Sequence, residues 1–335
     1  MLRRCVALNS ASTAIVDSWL DECHEKGADS QAIGSWNGAG PYLIENNYLA
    51  GAGENVMFGG SDPRFPGMAP SDVILRRNHI HTPVAWQERW SKKNLLETKN
   101  VRRLLVEENV LDGSWGDGQV GFGIVIKSAN QSGACRWCSS SDVIVRRNLM
   151  RHVGAGISVN GQGGDRGNID SVSRRIEITE NYVDSVRVGP YRGVGQLWMF
   201  LTGARNVHVA QNTSVTAPNT QLQGSVTFGS PGKPSVLGFV FERNVMSRGR
   251  YVVSGCGGQK RFAECLPGAR MTGNVIVGNA PAGGGGGGGR RGGGRGGDQM
   301  PAGFASVAST ANAIGRAGVS RSEIDRITSG VVVPR

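Results

Sequence analysis

The sequence has 335 residues, 52 glycines, 13 prolines, 19% charged residues and a formal net charge of +11. This composition favours a turn-rich β protein over a helical one, and no apolar run approaches the length of a membrane span. The basic charge favours a polyanionic partner, either an acidic polysaccharide or a nucleic acid.

A short motif recurs along the chain, in which an asparagine follows apolar residues five and three positions earlier. At Asn148 these residues are Val143 and Val145, and Met150 follows two positions later. Ser18 is a degenerate first copy, and consecutive anchors lie 29 to 39 residues apart. The asparagine anchors are Asn47, Asn78, Asn109, Asn148, Asn181, Asn212, Asn244 and Asn274. This near-constant spacing indicates stacked repeats rather than a closed globular domain.

Each repeat carries short strands. Apolar positions two residues apart predict a strand of about five residues before each asparagine, and the asparagine is expected to bend the chain there. A second apolar segment follows several anchors, at 55–58, 123–126, 156–159, 225–228 and 251–253. Two or three short strands in each repeat are typical of a right-handed parallel β-helix. We therefore predict an all-β solenoid of this kind with about nine turns.

Stacking of the turns places equivalent residues of neighbouring repeats above one another, about 4.8 Å apart. The anchor asparagines are then predicted to form a buried ladder of hydrogen-bonded side chains. Outward positions two residues before the anchors alternate in charge at Glu45, Arg76, Glu107 and Arg146. Positions one residue before them do so at Arg77, Glu108, Arg147 and Glu180. Opposite charges would stack in both columns, which indicates a solvated surface rather than a binding face.

The two ends depart from the repeat. Residues 5–9 resemble the second strand of a turn whose first half is missing, so we expect the N-terminal end of the solenoid to be truncated. We predict a parallel β-helix over 1–280 and a glycine- and arginine-rich disordered linker over 281–301. Residues 302–335 form a C-terminal tail with a short helix, for which Ser320 is the predicted N-cap.

Six cysteines fall into three pairs that are close in the sequence. Cys135 and Cys138 share one loop, Cys256 and Cys265 share another, and Cys5 and Cys23 can meet across adjacent turns. A zinc site would need two pairs with ligand-like spacing, and only the first pair has it. We therefore predict disulfides or free thiols rather than a metal site.

Three loop segments, at 70–79, 89–100 and 115–122, resemble those of bacterial right-handed parallel β-helix repeat proteins. The resemblance covers about residues 12–280. Their architecture is similar to that of pectate lyases and other polysaccharide lyases, and their members are usually secreted. The resemblance implies the fold and an extracellular or periplasmic location, whereas it implies a reaction only loosely.

The longest loops lie on the middle turns and carry aromatic side chains. These loops span 82–93, 112–121, 128–141, 161–173 and 185–195. Loops on a rigid scaffold commonly hold functional sites, and aromatic rings offer a large apolar face to a sugar ring. We therefore predict Trp90, Trp115 and Trp137 as substrate-binding residues, with the alternative that they fold back onto the solenoid.

A column of polar residues on consecutive turns is the best candidate for chemistry. Alignment of the repeats places Lys99, Lys127 and Asn160 outward and above one another. Two ammonium groups this close repel each other, which is expected to lower the pKa of one of them towards neutral pH. That lysine can then serve as a general base, while the other binds a uronate carboxylate. Lys127 and Lys99 are therefore the predicted catalytic residues, and Asn160 a substrate-binding residue. The alternative is two solvated lysines, one of them neutralised by Glu97.

The predicted function is binding of an acidic polysaccharide in a groove over the middle turns, with β-elimination on uronates as the reaction. The alternative is a non-catalytic glycan-binding or surface-structural solenoid. Converging carboxylates for calcium are not visible in the sequence, and we predict no metal and no cofactor. Nucleic-acid binding through the arginine-glycine segment is the least favoured function, and the chain is expected to be a monomer.

Overall fold

The structure is a computed structural model that describes residues 2–163, 169–216, 220, 222–230, 233–258, 261–278, 300–314 and 317–331. These residues form a parallel β-solenoid of about nine turns, which confirms the predicted fold class. The handedness of the solenoid stays a prediction. Residues 281–299, most of the predicted linker, lie outside the described residues.

Each turn contributes one strand to each of three parallel sheets. Sheet 1 contains β1 (Arg4–Ala7), β4 (Gln31–Ser35), β7 (Glu54–Phe58), β10 (Asn94–Thr98), β13 (Phe122–Ile126), β16 (Ala155–Asn160), β19 (Gln196–Leu201), β22 (Gly224–Phe228) and β25 (Tyr251–Ser254). Sheet 2 contains β2 (Ala11–Val16), β5 (Gly40–Glu45), β8 (Ser71–Arg76), β11 (Val101–Glu107), β14 (Ser140–Arg146), β17 (Arg174–Thr179), β20 (Ala204–Ala210), β23 (Val236–Glu242) and β26 (Arg270–Thr272). Sheet 3 contains β3 (Trp19–Cys23), β6 (Tyr48–Gly51), β9 (His79–His81), β12 (Val110–Ser114), β15 (Leu149–Val153), β18 (Tyr182–Val186), β21 (Thr213–Thr216), β24 (Val245–Ser247), β27 (Asn274–Val277) and β28 (Phe304–Val307).

The few helices lie in the connections and in the C-terminal tail. They are α1 (Val188–Tyr191), α2 (Phe262–Cys265), α3 (Thr310–Ile314) and α4 (Arg321–Thr328), with 3₁₀ turns at Pro66–Met68 and Val84–Trp86. None of the helices in the described residues has the length and apolar composition that crossing a membrane requires.

The repeat motif accounts for the core. The strand that precedes each anchor asparagine belongs to sheet 2, and its two apolar positions stack in register from turn to turn. Leu104, for example, lies between Val73 and Val143, and all three side chains are buried. The second apolar segments are strands of sheet 1, as predicted. Burial of equivalent apolar side chains in every turn is therefore what holds the solenoid together.

The asparagine ladder is confirmed. All eight anchor asparagines are buried. The backbone N–H and the Nδ2 of Asn78 both donate to Oδ1 of Asn109, at 2.9 and 3.0 Å. Asn109 makes the same pair of bonds to Asn148, both at 2.9 Å. Each asparagine thus satisfies the polar groups that the bend leaves unpaired.

The bend itself lies one residue before the position that the sequence indicates. The residue preceding each anchor has a positive φ, for example 56° at Arg77 and 58° at Glu108. This left-handed conformation costs about 1–2 kcal/mol for a residue with a Cβ. The asparagine that follows stays in register and stabilises the strained turn through its side chain.

The predicted columns of alternating charge are present on the surface of sheet 2. Arg76 pairs with Glu45 at 2.9 Å and Arg146 with Glu107 at 2.8 Å. In the second column, Glu108 lies 3.8 Å from Arg77. Exposed pairs of this kind contribute little stability each, but their alternating signs prevent repulsion between stacked turns.

The six cysteines form three disulfides, in the three pairs that the sequence suggests. They are Cys5–Cys23, Cys135–Cys138 and Cys256–Cys265. Stable disulfides are typical of proteins in oxidising compartments. They are compatible with an extracellular location.

The C-terminal tail docks on the outer face of sheet 3. Strand β28 pairs with β27, and Ser320 caps α4 by accepting a hydrogen bond from the backbone N–H of Glu323 at 3.1 Å. Ile324 is completely buried and belongs to an apolar cluster with Leu149. The cluster explains why a short helix can remain in place outside the solenoid core.

We expect Ile324→Ser to release α4, since truncating a buried apolar side chain costs about 2–5 kcal/mol and Ile324 is the apolar side chain that this helix buries completely. Protease should then cleave the tail faster, while the thermal unfolding of the solenoid changes little. Arg326→Ser, at an exposed position of the same helix, is the matched control. Equal cleavage rates in the two variants would contradict this docking.

Candidate functional site

The outer face of sheet 1 carries a row of buried polar side chains over the early turns. Outward and inward residues alternate along a strand, and the register pairs Asn94 with Glu54 and Glu97 with Met57. Gln31, Glu54, Asn94 and Glu97 are each at most 1% exposed, because loops and long side chains cover them. We call this face, together with Lys93, Lys99 and Lys127, the sheet 1 groove, after the groove predicted over the middle turns.

Glu97 is the centre of the groove. Lys127 Nζ lies 3.0 Å and Lys99 Nζ 3.8 Å from Glu97 Oε1, and Asn94 Nδ2 donates to Oε2 at 2.7 Å. Burial alone would raise the pKa of Glu97, but Lys127 and Lys99 outweigh it and hold that pKa below its usual range. The carboxylate is therefore ionised, with two ammonium groups around it.

Glu54 is the second carboxyl group of the groove and behaves in the opposite way. Burial, followed by the charge of Glu97, raises the pKa of Glu54. Gln31 Nε2 donates to Glu54 Oε2 at 2.8 Å, and Lys93 Nζ lies 3.4 Å from Oε1 while it also pairs with Asp29. Two neighbouring carboxyl groups thus favour different protonation states, a pattern that is common in functional sites.

Long loops hold the walls of the groove in place. Gln119 donates to Glu97 Oε2 at 3.3 Å, and Gln131 Oε1 accepts from Lys99 Nζ at 2.7 Å. The carboxylate of Asp62 accepts from the backbone N–H of Gln131 at 2.8 Å. The loops at 112–121 and 128–141 therefore each deliver one amide side chain to the lysine and glutamate cluster.

A buried lysine fixes the backbone beneath the groove. Lys92 is completely buried, and its Nζ donates to Asn55 Oδ1 at 2.6 Å, Thr82 Oγ1 at 2.7 Å and the carbonyl of Asn94 at 2.9 Å. Burial lowers the pKa of Lys92 well below its usual value. Its three acceptors identify it as a structural link between the corner of sheet 3 and strand β10.

The predicted lysine column is present. Thr98, Ile126 and Val159 are register partners, so Lys99, Lys127 and Asn160, which follow them, lie on successive turns. The two lysines converge on Glu97, whereas Asn160 Nδ2 donates to Ser158 Oγ at 3.0 Å. The structure therefore joins the two lysines into one site and leaves Asn160 at its edge.

The three predicted tryptophans lie elsewhere. Trp90 stacks on His24 with ring centroids 4.0 Å apart, and Trp115 is buried in an apolar cluster with Trp86 over sheet 3. Trp137 is half-buried between the cysteines of the loop at 128–141. The contacts of Trp90 and Trp115 place both rings on the side of sheet 3, and the role of all three tryptophans in substrate binding stays a prediction.

The sequence did not single out Gln31, Glu54, Asn94 or Gln119 as site residues. One available signal is the polar character of strand positions that other turns fill with apolar residues. Asn94 and Glu97 interrupt the apolar strand β10, and Lys93 and Lys99 flank it. Burial of such residues could be recognised only once the covering loops were placed.

A second titratable cluster lies over sheet 3. Asp112 accepts from His152 Nδ1 at 2.7 Å and from Arg151 Nε at 2.8 Å, and His79 stacks on His81 with ring centroids 5.0 Å apart. Burial, followed by the neighbouring His79, lowers the pKa of His81 to about 4. His81 is therefore neutral in the folded protein at physiological pH.

We expect the stability of the protein to fall as the pH decreases from about 6.5, the usual pKa of histidine, towards about 4. In this window the unfolded chain binds a proton at His81 that the folded chain does not bind. The contribution of His81 to this loss is about 2–3 kcal/mol. His81→Asn, whose amide replaces the Nδ1 side of the imidazole that contacts Tyr48, should flatten the dependence of unfolding free energy on pH. Identical slopes would contradict a neutral buried His81.

Within the described residues, histidine, cysteine and acidic side chains form no cluster of three or more that could hold a metal ion. Comparison of the chain with protein-family models, with curated proteins and with solved structures finds no match in any of the three. The resemblance to bacterial β-helix repeat proteins therefore stays a prediction beyond the shared solenoid architecture.

Proposed function

We propose that the protein binds an acidic polysaccharide along the sheet 1 groove, with one uronate carboxylate held by Lys99 and Lys127. The observation that carries this proposal is the position of both Nζ atoms, 3.8 and 3.0 Å from a single buried carboxylate oxygen. Two ammonium groups share one negative charge, so the pair keeps an excess positive charge towards the outside. A ligand carboxylate would complete the pairing.

The wider electrostatics favour an anionic ligand. Lys93, Lys99 and Lys127 lie over the groove, and the raised pKa of Glu54 reduces the negative charge beneath them. The net charge of +11 attracts polyanions at longer range. An acidic polysaccharide is therefore attracted by the net charge at long range and bound by the lysines at the groove.

Neutral polar groups suit the hydroxyl groups of a sugar. Amide side chains of Gln31, Asn94, Gln119 and Gln131 surround the charged residues. Asn94 Oδ1 is buried and has no hydrogen-bond donor among the residues that the structure describes. Buried polar atoms are usually hydrogen-bonded, so this oxygen is a ready acceptor for a ligand hydroxyl once the covering lysine side chains move.

Cleavage by β-elimination is the second candidate function, and the raised pKa of Glu54 favours it. In this reaction Lys99 or Lys127, after its ammonium group has released a proton to water, takes the proton from C5 of a uronate. The electron pair forms the C4–C5 double bond, the C4–O4 bond breaks, and O4 leaves with a proton from Glu54. Glu54 lies beneath Lys93, so the transfer requires that side chain to move.

Binding and cleavage can be separated with oligouronates and neutral oligosaccharides of equal length. We expect the oligouronate to bind more tightly, with an affinity that falls as salt rises, since charges are screened within about 10 Å at 0.1 M. Ultraviolet absorbance of an unsaturated product would identify a lyase, and binding without absorbance a glycan-binding protein. Equal affinity for charged and neutral oligomers would refute the proposal.

A further inference from the structure

Next to the sheet 1 groove lies a cavity of about 280 Å³. Its lining includes Arg3, Arg4, Gln31, Trp36 and Met57. Arginine, glutamine and tryptophan side chains around a space of this size are typical of a site for a small polar ligand. The proposed function does not use this cavity.

Both guanidinium groups of the cavity donate to neutral oxygen atoms. Arg4 lies over the ring of Trp36, with Cζ 4.8 Å from the ring centroid, and its Nε donates to Gln31 Oε1 at 2.7 Å. Arg3 Nε donates to the carbonyl of Asp29 at 3.3 Å. Among the residues that the structure describes, neither arginine lies within ion-pair distance of an acidic group. Burial and the charge of Arg3 lower the pKa of Arg4 and outweigh the opposing charges of Glu54 and Asp29, so a bound anion would reduce the repulsion between the two arginines.

The cavity and the groove are continuous. Gln31 contacts Arg4 on one side and Glu54 on the other, at 2.7 and 2.8 Å. Gly59, with φ of 104°, lies against Lys99, and a Cβ at this position would be only 2.8 Å from Lys99 Cβ. Strands β1 and β10 are three spacings apart in sheet 1, or about 14 Å. A single extended oligomer can therefore reach both places.

We propose that this cavity is a subsite for a second anionic sugar residue of the same polymer, whose acidic group is bound by Arg4 and Arg3. The inference rests on the proposed function and extends it to a ligand that carries at least two acidic groups. The planar fork of a guanidinium group matches a carboxylate or a sulfate. Oligouronates and sulfated oligosaccharides of equal length therefore form the two arms of the test.

The test measures affinity against oligomer length for the wild type, Arg4→Gln, Gly34→Leu and the control Arg205→Gln. Gly34→Leu fills the cavity without a change of charge, since a Cβ there already lies 3.3 Å from Arg4 Cδ. Arg205 is an exposed arginine of sheet 2. We expect a stepwise rise in affinity once an oligomer reaches both sites. Arg4→Gln and Gly34→Leu should lose about tenfold at that step and keep the affinity for shorter oligomers.

The outcomes distinguish this inference from the proposed function. If short oligouronates bind but affinity does not rise stepwise with length, the subsite is overturned and the proposed binding at the groove stands. The same conclusion follows if both cavity variants keep the stepwise rise. Failure of every anionic oligomer to bind would overturn both. Arg4→Lys keeps the positive charge but lacks the planar guanidinium group. If this variant keeps the stepwise rise in affinity, the effect is due to charge alone, and recognition by the guanidinium group is refuted. Thermal unfolding of each variant identifies any that fails to fold, and Gly34→Leu and Arg4→Gln then test the subsite independently of each other.

Discussion

Replacing Asn109 with alanine is expected to destabilise the solenoid by about 3–5 kcal/mol. Oδ1 of Asn109 accepts from the backbone N–H and the Nδ2 of Asn78. Its Nδ2 donates to the carbonyl of Leu75 at 2.9 Å and that of Glu107 at 3.0 Å, as well as to Asn148. Alanine would leave several buried partners without a hydrogen bond, and each such group costs about 1–3 kcal/mol.

Asn160→Ala is the matched control, because Asn160 is half-buried and makes one side-chain bond to Ser158. We expect it to change the unfolding free energy by less than about 1 kcal/mol. Chemical denaturation of both variants, with the midpoint and the slope determined together, provides the comparison. Equal destabilisation by the two substitutions would show that the ladder is not a special source of stability.

The architecture could be predicted because every turn repeats the same physical requirement. Val143 and Val145 must be buried, Asn148 must pair with its neighbours in the ladder, and the spacing of the anchors stacks them. The left-handed residue could not be located, because Arg77, Glu108 and Arg147 carry a Cβ and nothing in their residue type indicates the positive φ that each adopts. The docking of Ile324 against Leu149 could likewise not be predicted from the sequence, since it joins segments far apart in the chain.

The candidate site could be predicted only in part. Lys99 and Lys127 follow apolar strand positions at equal distances, so the repeat alone places them side by side. Glu54 was missed because acidic residues are rarely buried, and only the covering layer of Lys93 and Gln31 explains its position. Trp90 and Trp115 were grouped with the lysines through loop position alone, whereas loop conformation turns them towards sheet 3.

The proposed carboxylate-binding residues also stabilise the fold, which affects how their role can be tested. We expect Lys127→Met to lower the unfolding free energy by about 1.5–3 kcal/mol, because the buried Glu97 carboxylate loses the nearer of its two ammonium partners and the charged hydrogen bond to it. Glu97 is 0% exposed, and after the substitution Lys99, at 3.8 Å, is its remaining ion-pair partner among the described residues. A loss of ligand binding in this variant could therefore reflect altered structure alone.

The double variant Lys127→Met/Glu97→Gln removes both charges and should recover most of the lost stability, since a neutral glutamine still accepts from Asn94. If Lys127 binds a uronate carboxylate, this double variant should still bind an oligouronate at least about tenfold more weakly than the wild type, although its stability is restored. Lys26→Met, at an exposed position outside the groove, should leave stability and affinity nearly unchanged. Recovery of wild-type affinity together with stability would mean that Lys127 serves Glu97 alone, and the carboxylate-binding role would have to be abandoned.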